Sequence, residues 1–125
     1  MNWLIDRYRT IARGLTWVGV VAIVVLSVAP AADRPVTGAG QSFEHFSAFA
    51  LVAAMFAIGY RLPLAQRLFI ATVFCAVIEL LQVPLPSRHA RISDFAIDVV
   101  ASWVAIAVVL SSEFAIPALR GRIRR

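Results

Sequence analysis

The polar positions of this 125-residue chain gather into short clusters that separate four long apolar runs. Residues 15–32, LTWVGVVAIVVLSVAPAA, contain no ionisable side chain. Residues 43–60 are apolar apart from Glu44 and His45 at their start. Residues 64–83 carry Gln66 and Arg67 at one end and Glu79 and Gln82 at the other, and residues 94–114 are apolar between Asp98 and Glu113. A helix crossing a bilayer needs roughly 20 mainly apolar residues. The pattern therefore predicts an all-α integral membrane bundle of four transmembrane helices. Pro63 opens the third run, where a missing N–H costs little, and Pro84 and Pro86 close it. The basic N-terminal arm, residues 1–14, has two readings. It is either a short interfacial helix built on Trp3, Leu4, Ile5, Tyr8 and Ile11, or an extension of the first span. Residues 115–125 read as a basic tail.

Composition agrees with a membrane domain over residues 15–114. Apolar residues make up 61% of the chain and charged residues 15%, against about 25% charged in a soluble domain. A soluble fold of this size leaves too much surface wet to hide that much hydrocarbon, which excludes a soluble globular enzyme. The net charge is +5, and every one of the 12 basic residues is Arg. A basic chain can bind nucleic acid, but these Arg sit in clusters between apolar runs, as membrane orientation signals do. No nucleic-acid partner is expected, and membrane lipids are. Arg7, Arg9, Arg13, Arg61, Arg67, Arg120, Arg122, Arg124 and Arg125 fall on one side of the four spans, and Arg34, Arg88 and Arg91 on the other. The positive-inside rule then predicts both termini in the cytoplasm of a multi-pass protein of the bacterial inner (plasma) membrane. Trp3, Tyr8 and Tyr60 lie at the cytoplasmic interface in that topology. The small residues Ala29 and Ala31 after the first run also suit a signal-peptide cleavage site, although the run is long for one. The single Cys75 can form no intramolecular disulfide.

In this topology the remaining ionisable groups collect at the outer face. Glu44 and His45 open span two, Glu79 and Gln82 close span three, Arg88, His89 and Arg91 fill the connecting loop, and Asp94 and Asp98 open span four. Asp33, Arg34 and Glu113 stand apart from this group. Glu79 and Gln82 are spaced i, i+3 and Asp94 and Asp98 i, i+4, so each pair shares a helix face. Those faces continue as small residues: Ala71, Thr72, Cys75 and Ala76 on span three, and Ala101, Ser102 and Ala105 on span four. Span two offers Ser47, Ala50, Ala54 and Ala57. Small residues let transmembrane helices approach closely, so these stripes are expected to face the bundle interior. A charge at the bilayer centre costs about 2.5–3.5 kcal/mol on the insertion scale. Carboxylates nearer the face still need partners, and Arg88, Arg91 and His45 are the available cations. The plainest reading is that Arg88 and Arg91 neutralise Glu79 and Asp94. A group of eight polar residues (Glu44, His45, Glu79, Gln82, Arg88, Arg91, Asp94 and Asp98) also has the makings of a ligand site. Arg grips a carboxylate or a phosphate with two parallel hydrogen bonds.

The segment from Ile78 to Ala101, IELLQVPLPSRHARISDFAIDVVA, resembles the VanZ-like family of small bacterial membrane proteins. That family's pattern has a Glu and a Gln three apart, an Arg after a Pro-containing turn, and an Asp opening a helix followed by Asn and Gly. The corresponding positions here are Glu79, Gln82, Arg88, Asp94, Asp98 and Ala101, and His45-Phe46 matches the family's His at the head of a helix. The resemblance covers about residues 41–110. The family's Asp-Lys before the His is replaced by Gln41-Ser42, its Asn by Asp98 and its Gly by Ala101, which makes this site more negative. The resemblance implies association with teicoplanin resistance.

Three functional readings follow. In the first, the outer-face site binds an amphiphile, such as a lipid-linked cell-envelope intermediate or a lipoglycopeptide, with Arg88 and Arg91 on its anionic group. In the second, the chain is a small membrane enzyme. Glu79 or Asp94 would be its general base and His45 its acid, or Glu44, His45, Glu79 and Asp98 would hold a metal. There is no HExxH or CxxC spacing, no evident nucleophile, and no cofactor is implied. In the third, the chain is a structural or assembly partner without a ligand. A proton-coupled exporter fits poorly, because its ionisable site should lie near mid-membrane.

Overall fold

A computed structural model describes residues 2–33, 38–85 and 92–123, with side chains for 3–30, 32–33, 38–85 and 92–113. The described chain forms α1 (Asn2–Val28), a 3-10 turn (Ala31–Asp33), α2 (Gln41–Gly59), α3 (Leu64–Gln82) and α4 (Ile92–Ile123), with no strand among the described residues. All four helices are long and apolar enough to cross a membrane. Helix α1 runs from Asn2 without interruption, so residues 2–14 continue the helix of the first span. It stops at Val28 rather than Ala32, because Pro30 has no N–H with which to extend it. Helix α4 continues past residue 114 to Ile123, so the segment read as a basic tail is helical as far as that residue. Helix α3 begins after Pro63 and ends at Gln82, just before Pro84.

The helices alternate in direction. Near its N-terminus α1 meets the far part of α4, with Arg9 Nη2 3.9 Å from Glu113 Oε1. Further along α1, Arg13 Nε donates to the Gly59 carbonyl at the end of α2 at 2.9 Å. One end of the bundle therefore holds the start of α1, the α2–α3 connection and the far part of α4; with Arg7, Arg9, Arg13, Arg61 and Arg67 it is the arginine end. The opposite end holds the start of α2, the end of α3 and the start of α4. Helix α2 is central, packed most extensively on α4 and then on α1, while α3 packs mainly on α4. Two apolar clusters fill the seams. Ile23, Phe49, Cys75, Ile78 and Ala101 lie toward the polar end, and Ala53, Ala57, Ala71 and Ile106 toward the arginine end. Without a hydrophobic drive between helices in lipid, close packing at small residues holds such seams. The stripe on α2 is Phe49, Ala53 and Ala57, not the expected series from Ser47, which is exposed. Only 22–28% of each span's apolar window is buried. The outward rows, among them Val18, Val21, Leu51, Phe69 and Val108, form the kind of surface that hydrocarbon covers.

The α1–α2 crossing depends on glycine. A Cβ on Gly19 would lie 2.5 Å from Val52 Cγ2, and one on Gly59 would lie 3.0 Å from Arg13 Cγ and 3.1 Å from the Arg13 backbone nitrogen. Beside Gly59, Arg13 lies over the Tyr60 ring at 5.3 Å, and Trp17 Nε1 donates to the Tyr60 hydroxyl at 3.1 Å. Gly19→Leu is expected to force α1 off α2 and to cost about 1–3 kcal/mol, the usual range for overpacking. Gly14→Ala, where an added Cβ meets nothing within 4 Å, should leave stability unchanged or slightly raised. Thermal unfolding of both variants in detergent checks the pair.

Candidate polar site

The polar end is assembled by three helix termini. Gly40 caps α2 with φ 86° and ψ 146°, a left-handed backbone that suits glycine, and the next turn presents Gln41, Glu44 and His45. The last turns of α3 present Glu79 and Gln82, and the first turns of α4 present Asp94 and Asp98. His45 Nδ1 lies 3.3 Å from Asp98 Oδ1 and 3.4 Å from Oδ2, and its ring stacks beside Phe49 with centroids 6.3 Å apart. Asp98 is 1% exposed and Gln82 2%, so both lie inside the bundle. A buried carboxylate needs a charged or hydrogen-bonding partner, and His45 supplies one from the neighbouring helix.

The polar contacts continue inward. Ser102 Oγ donates to the Asp98 carbonyl at 2.8 Å and lies 3.8 Å from Cys75 Sγ, so a column of polar atoms descends from His45 through Asp98 to Ser102 and Cys75. At the rim, Gln41 Nε2 donates to Asp94 Oδ2 at 3.4 Å, joining the starts of α2 and α4, and Ser93 Oγ lies 3.5 Å from Asp94 Oδ1. Gln82 Nε2 is buried with no acceptor among the described residues. The buried stripe of α3 is Ala71, Cys75, Ile78 and Gln82, so Gln82 rather than Glu79 points fully inward. Glu79, Glu44 and Asp94 are each half-buried. The expectation that both acidic pairs lie wholly on interior faces is met by Asp98 and Gln82 and only partly by Asp94 and Glu79.

Arg88, His89 and Arg91 lie outside the described residues, so the ion pairs expected of Arg88 and Arg91 do too. Among the described residues no three His, Cys, Asp or Glu side chains are grouped to hold a metal ion, and the set Glu44, His45, Glu79 and Asp98 is not assembled as a cation site. The arrangement instead offers hydrogen-bonding groups around a buried His–Asp contact. Asp98 can orient the imidazole and fix its tautomer.

Sequence reasoning assigned Arg67 to the orientation signals. The structure buries it to 4% exposure, with Nε and Nη1 lacking acceptors among the described residues. The available signal was its spacing, one turn before Ala71 on the stripe that continues through Cys75, Ile78 and Gln82. No family model matches the chain, nor does any curated protein or solved structure.

The His45–Asp98 contact is expected to be energetically coupled. In a double-mutant cycle of His45→Ala and Asp98→Ala read by unfolding free energy, each single variant should cost about 1–3 kcal/mol, as expected when one partner of a buried polar pair is left unmatched. The double variant should cost less than the sum. Additive losses would mean that the two side chains act independently.

Proposed function

We propose that the chain is a VanZ-like, four-span protein of the bacterial inner membrane with both termini in the cytoplasm. On this reading the polar end faces outward and binds the headgroup of an amphiphile, either a lipid-linked cell-envelope intermediate or a lipoglycopeptide. The observation that carries it is Gln82, a buried amide whose Nε2 has no acceptor among the described residues, in the last turn of α3 at the same end as His45–Asp98. An unmet buried donor costs about 1–3 kcal/mol, and an acceptor brought by a ligand headgroup removes that cost. The resemblance over Glu79, Gln82, Arg88 and Asp94 points to the same end, and Arg88 and Arg91 supply cations for a phosphate or carboxylate. The His45–Asp98 contact gives the enzymatic alternative its one specific support, with the imidazole as the acid–base group.

Topology is tested with cysteine labels. Cys75 is 0% exposed and gives little background once replaced by Ala. Gly38→Cys at the polar end should react with a membrane-impermeant maleimide on intact cells, and Arg61→Cys at the arginine end only after permeabilisation. The reverse pattern inverts the proposed orientation.

Ligand binding is tested by titrating the protein in nanodiscs with teicoplanin and, separately, with a lipid-linked disaccharide–peptide precursor. Gln82→Leu, Asp98→Asn and Arg88→Ala/Arg91→Ala should each weaken binding tenfold or more, the worth of one charge-assisted or buried hydrogen bond. Gln82→Leu should leave thermal stability unchanged or higher, because it deletes an unmet donor. Binding that is absent, or equal in all variants, would exclude the headgroup site and leave the structural role. Chemical change of the lipid-linked probe, lost in His45→Ala, would establish the enzymatic reading.

A further inference from the structure

The bundle contains a second feature of a different kind, a cavity of about 360 Å³ in its arginine-end half. Helix α2 forms its back wall with Phe49, Val52, Ala53 and Phe56, and α1 and α3 form its sides. Two of its lining residues, Trp17 on α1 and Ile70 on α3, are 62% and 43% exposed. The cavity is therefore a lateral cleft open between α1 and α3, on the face that hydrocarbon would cover. Its volume falls in the range of ligand pockets, about 300–1,000 Å³.

The cleft wall is chemically hydrocarbon even where its residues are polar. The Thr16 hydroxyl donates to the Ala12 carbonyl at 2.8 Å, and the Ser102 hydroxyl to the Asp98 carbonyl at 2.8 Å. Trp17 Nε1 is taken by the Tyr60 hydroxyl. A headgroup finds no free hydroxyl or indole donor at these three side chains, whereas an acyl chain needs none.

Three Arg neighbour lining residues of the cleft along the chain, toward the arginine end. Arg13 is one helical turn from the lining residue Trp17, and Arg67 is one turn from the lining residue Ala71. Arg61 lies between the lining residues Tyr60 and Leu62. These three Arg come from α1, α3 and the α2–α3 connection. Arg67 is buried with two guanidinium nitrogens unmatched among the described residues. An unpaired buried cation is costly, and a phosphate is the group a planar guanidinium meets with two hydrogen bonds.

We infer that this cleft is a binding site for an anionic phospholipid of the surrounding bilayer. One acyl chain lies along Val20, Phe56 and Phe74, and the phosphate sits among Arg13, Arg61 and Arg67. The site is separate from the headgroup site at the polar end and stands whether or not that reading holds. Basic residues at a membrane surface attract anionic lipid in general; here the apolar cleft turns that attraction into a place for a single molecule.

The test is native mass spectrometry of the full chain released from nanodiscs of equal phosphatidylglycerol and phosphatidylcholine. The wild-type protein should retain phosphatidylglycerol about tenfold over phosphatidylcholine, and Arg61→Gln/Arg67→Gln should lose that preference. Arg61→Gln alone, at an exposed connection position, should reduce it and carries the test if the double variant loses helix content. Arg7→Gln, which removes one charge from the same end away from the cleft, should keep it. Filling the cleft by Ala53→Leu, or by Val20→Phe if the first variant fails to fold, should lower the retention of both lipids. Equal retention of the two lipids by the wild-type protein overturns the inference, as does a preference that survives the Arg variants or one equally lost in Arg7→Gln. A dimer mass without lipid would place a second copy in the cleft and would also overturn it.

Discussion

Hydrocarbon offers no hydrogen-bond partners, so every polar group taken inside this bundle must be answered by another part of the bundle or by a ligand. Most of the packing geometry can be traced to that constraint. Hydroxyls on the spans donate back to carbonyls of their own helices, as Thr16, Thr72, Ser102 and Ser111 do at 2.8 Å. The groups that cannot be answered locally tie helices together: His45 to Asp98 across α2 and α4, Trp103 to Thr72 across α4 and α3 at 3.0 Å, and Arg13 to Gly59 across α1 and α2. These links lie along the same seams where Ala, Gly and Cys permit close approach, so polar satisfaction and tight packing support one another.

The fold was legible in the sequence because its signal is long and redundant. Four apolar runs broken by charge and proline leave little choice of element: α2 and α3 fall within two residues of their runs, while α1 starts well before its run and α4 ends well after its own. The ends of the helices were harder to read. Basic residues at 7, 9 and 13 left an interfacial arm and an extension of the first span equally open; nothing in those positions breaks a helix, and α1 passes through them. The run to Ala32 looked continuous by hydropathy, and one backbone N–H missing at Pro30 is enough to end it.

The polar end was legible as a cluster but not in its depth. Spacing placed Asp94 with Asp98 and Glu79 with Gln82 on shared faces, yet a face has a centre and two flanks. Only the seam geometry puts Asp98 and Gln82 at the centre and leaves Glu79 and Asp94 half-covered. The burial of Arg67 was not legible for a related reason. A count of positive charges treats each Arg as equivalent, whereas Arg67 shares the buried stripe of α3 and Arg61 does not. Counting gives orientation, and the helical stripe gives burial. A residue that satisfies both descriptions is where counting alone misleads.

The two ends answer the same constraint in opposite ways. At the polar end an acid and an imidazole are brought together from two helices, so the buried Asp98 carboxylate is met inside the protein. At the arginine end two guanidinium nitrogens of Arg67 meet no acceptor among the described residues, and the same half of the bundle holds a cleft whose Thr16 and Ser102 hydroxyl hydrogens are already committed. Ser102 connects the two regions: the residue lines the cleft while its hydroxyl donates to the Asp98 carbonyl. The polar column thus stops at the cleft wall without giving it a donor. A bundle of four short-looped helices can in this way hold a polar site at one end and a hydrocarbon-walled cleft in the other half, with one serine marking the boundary between them.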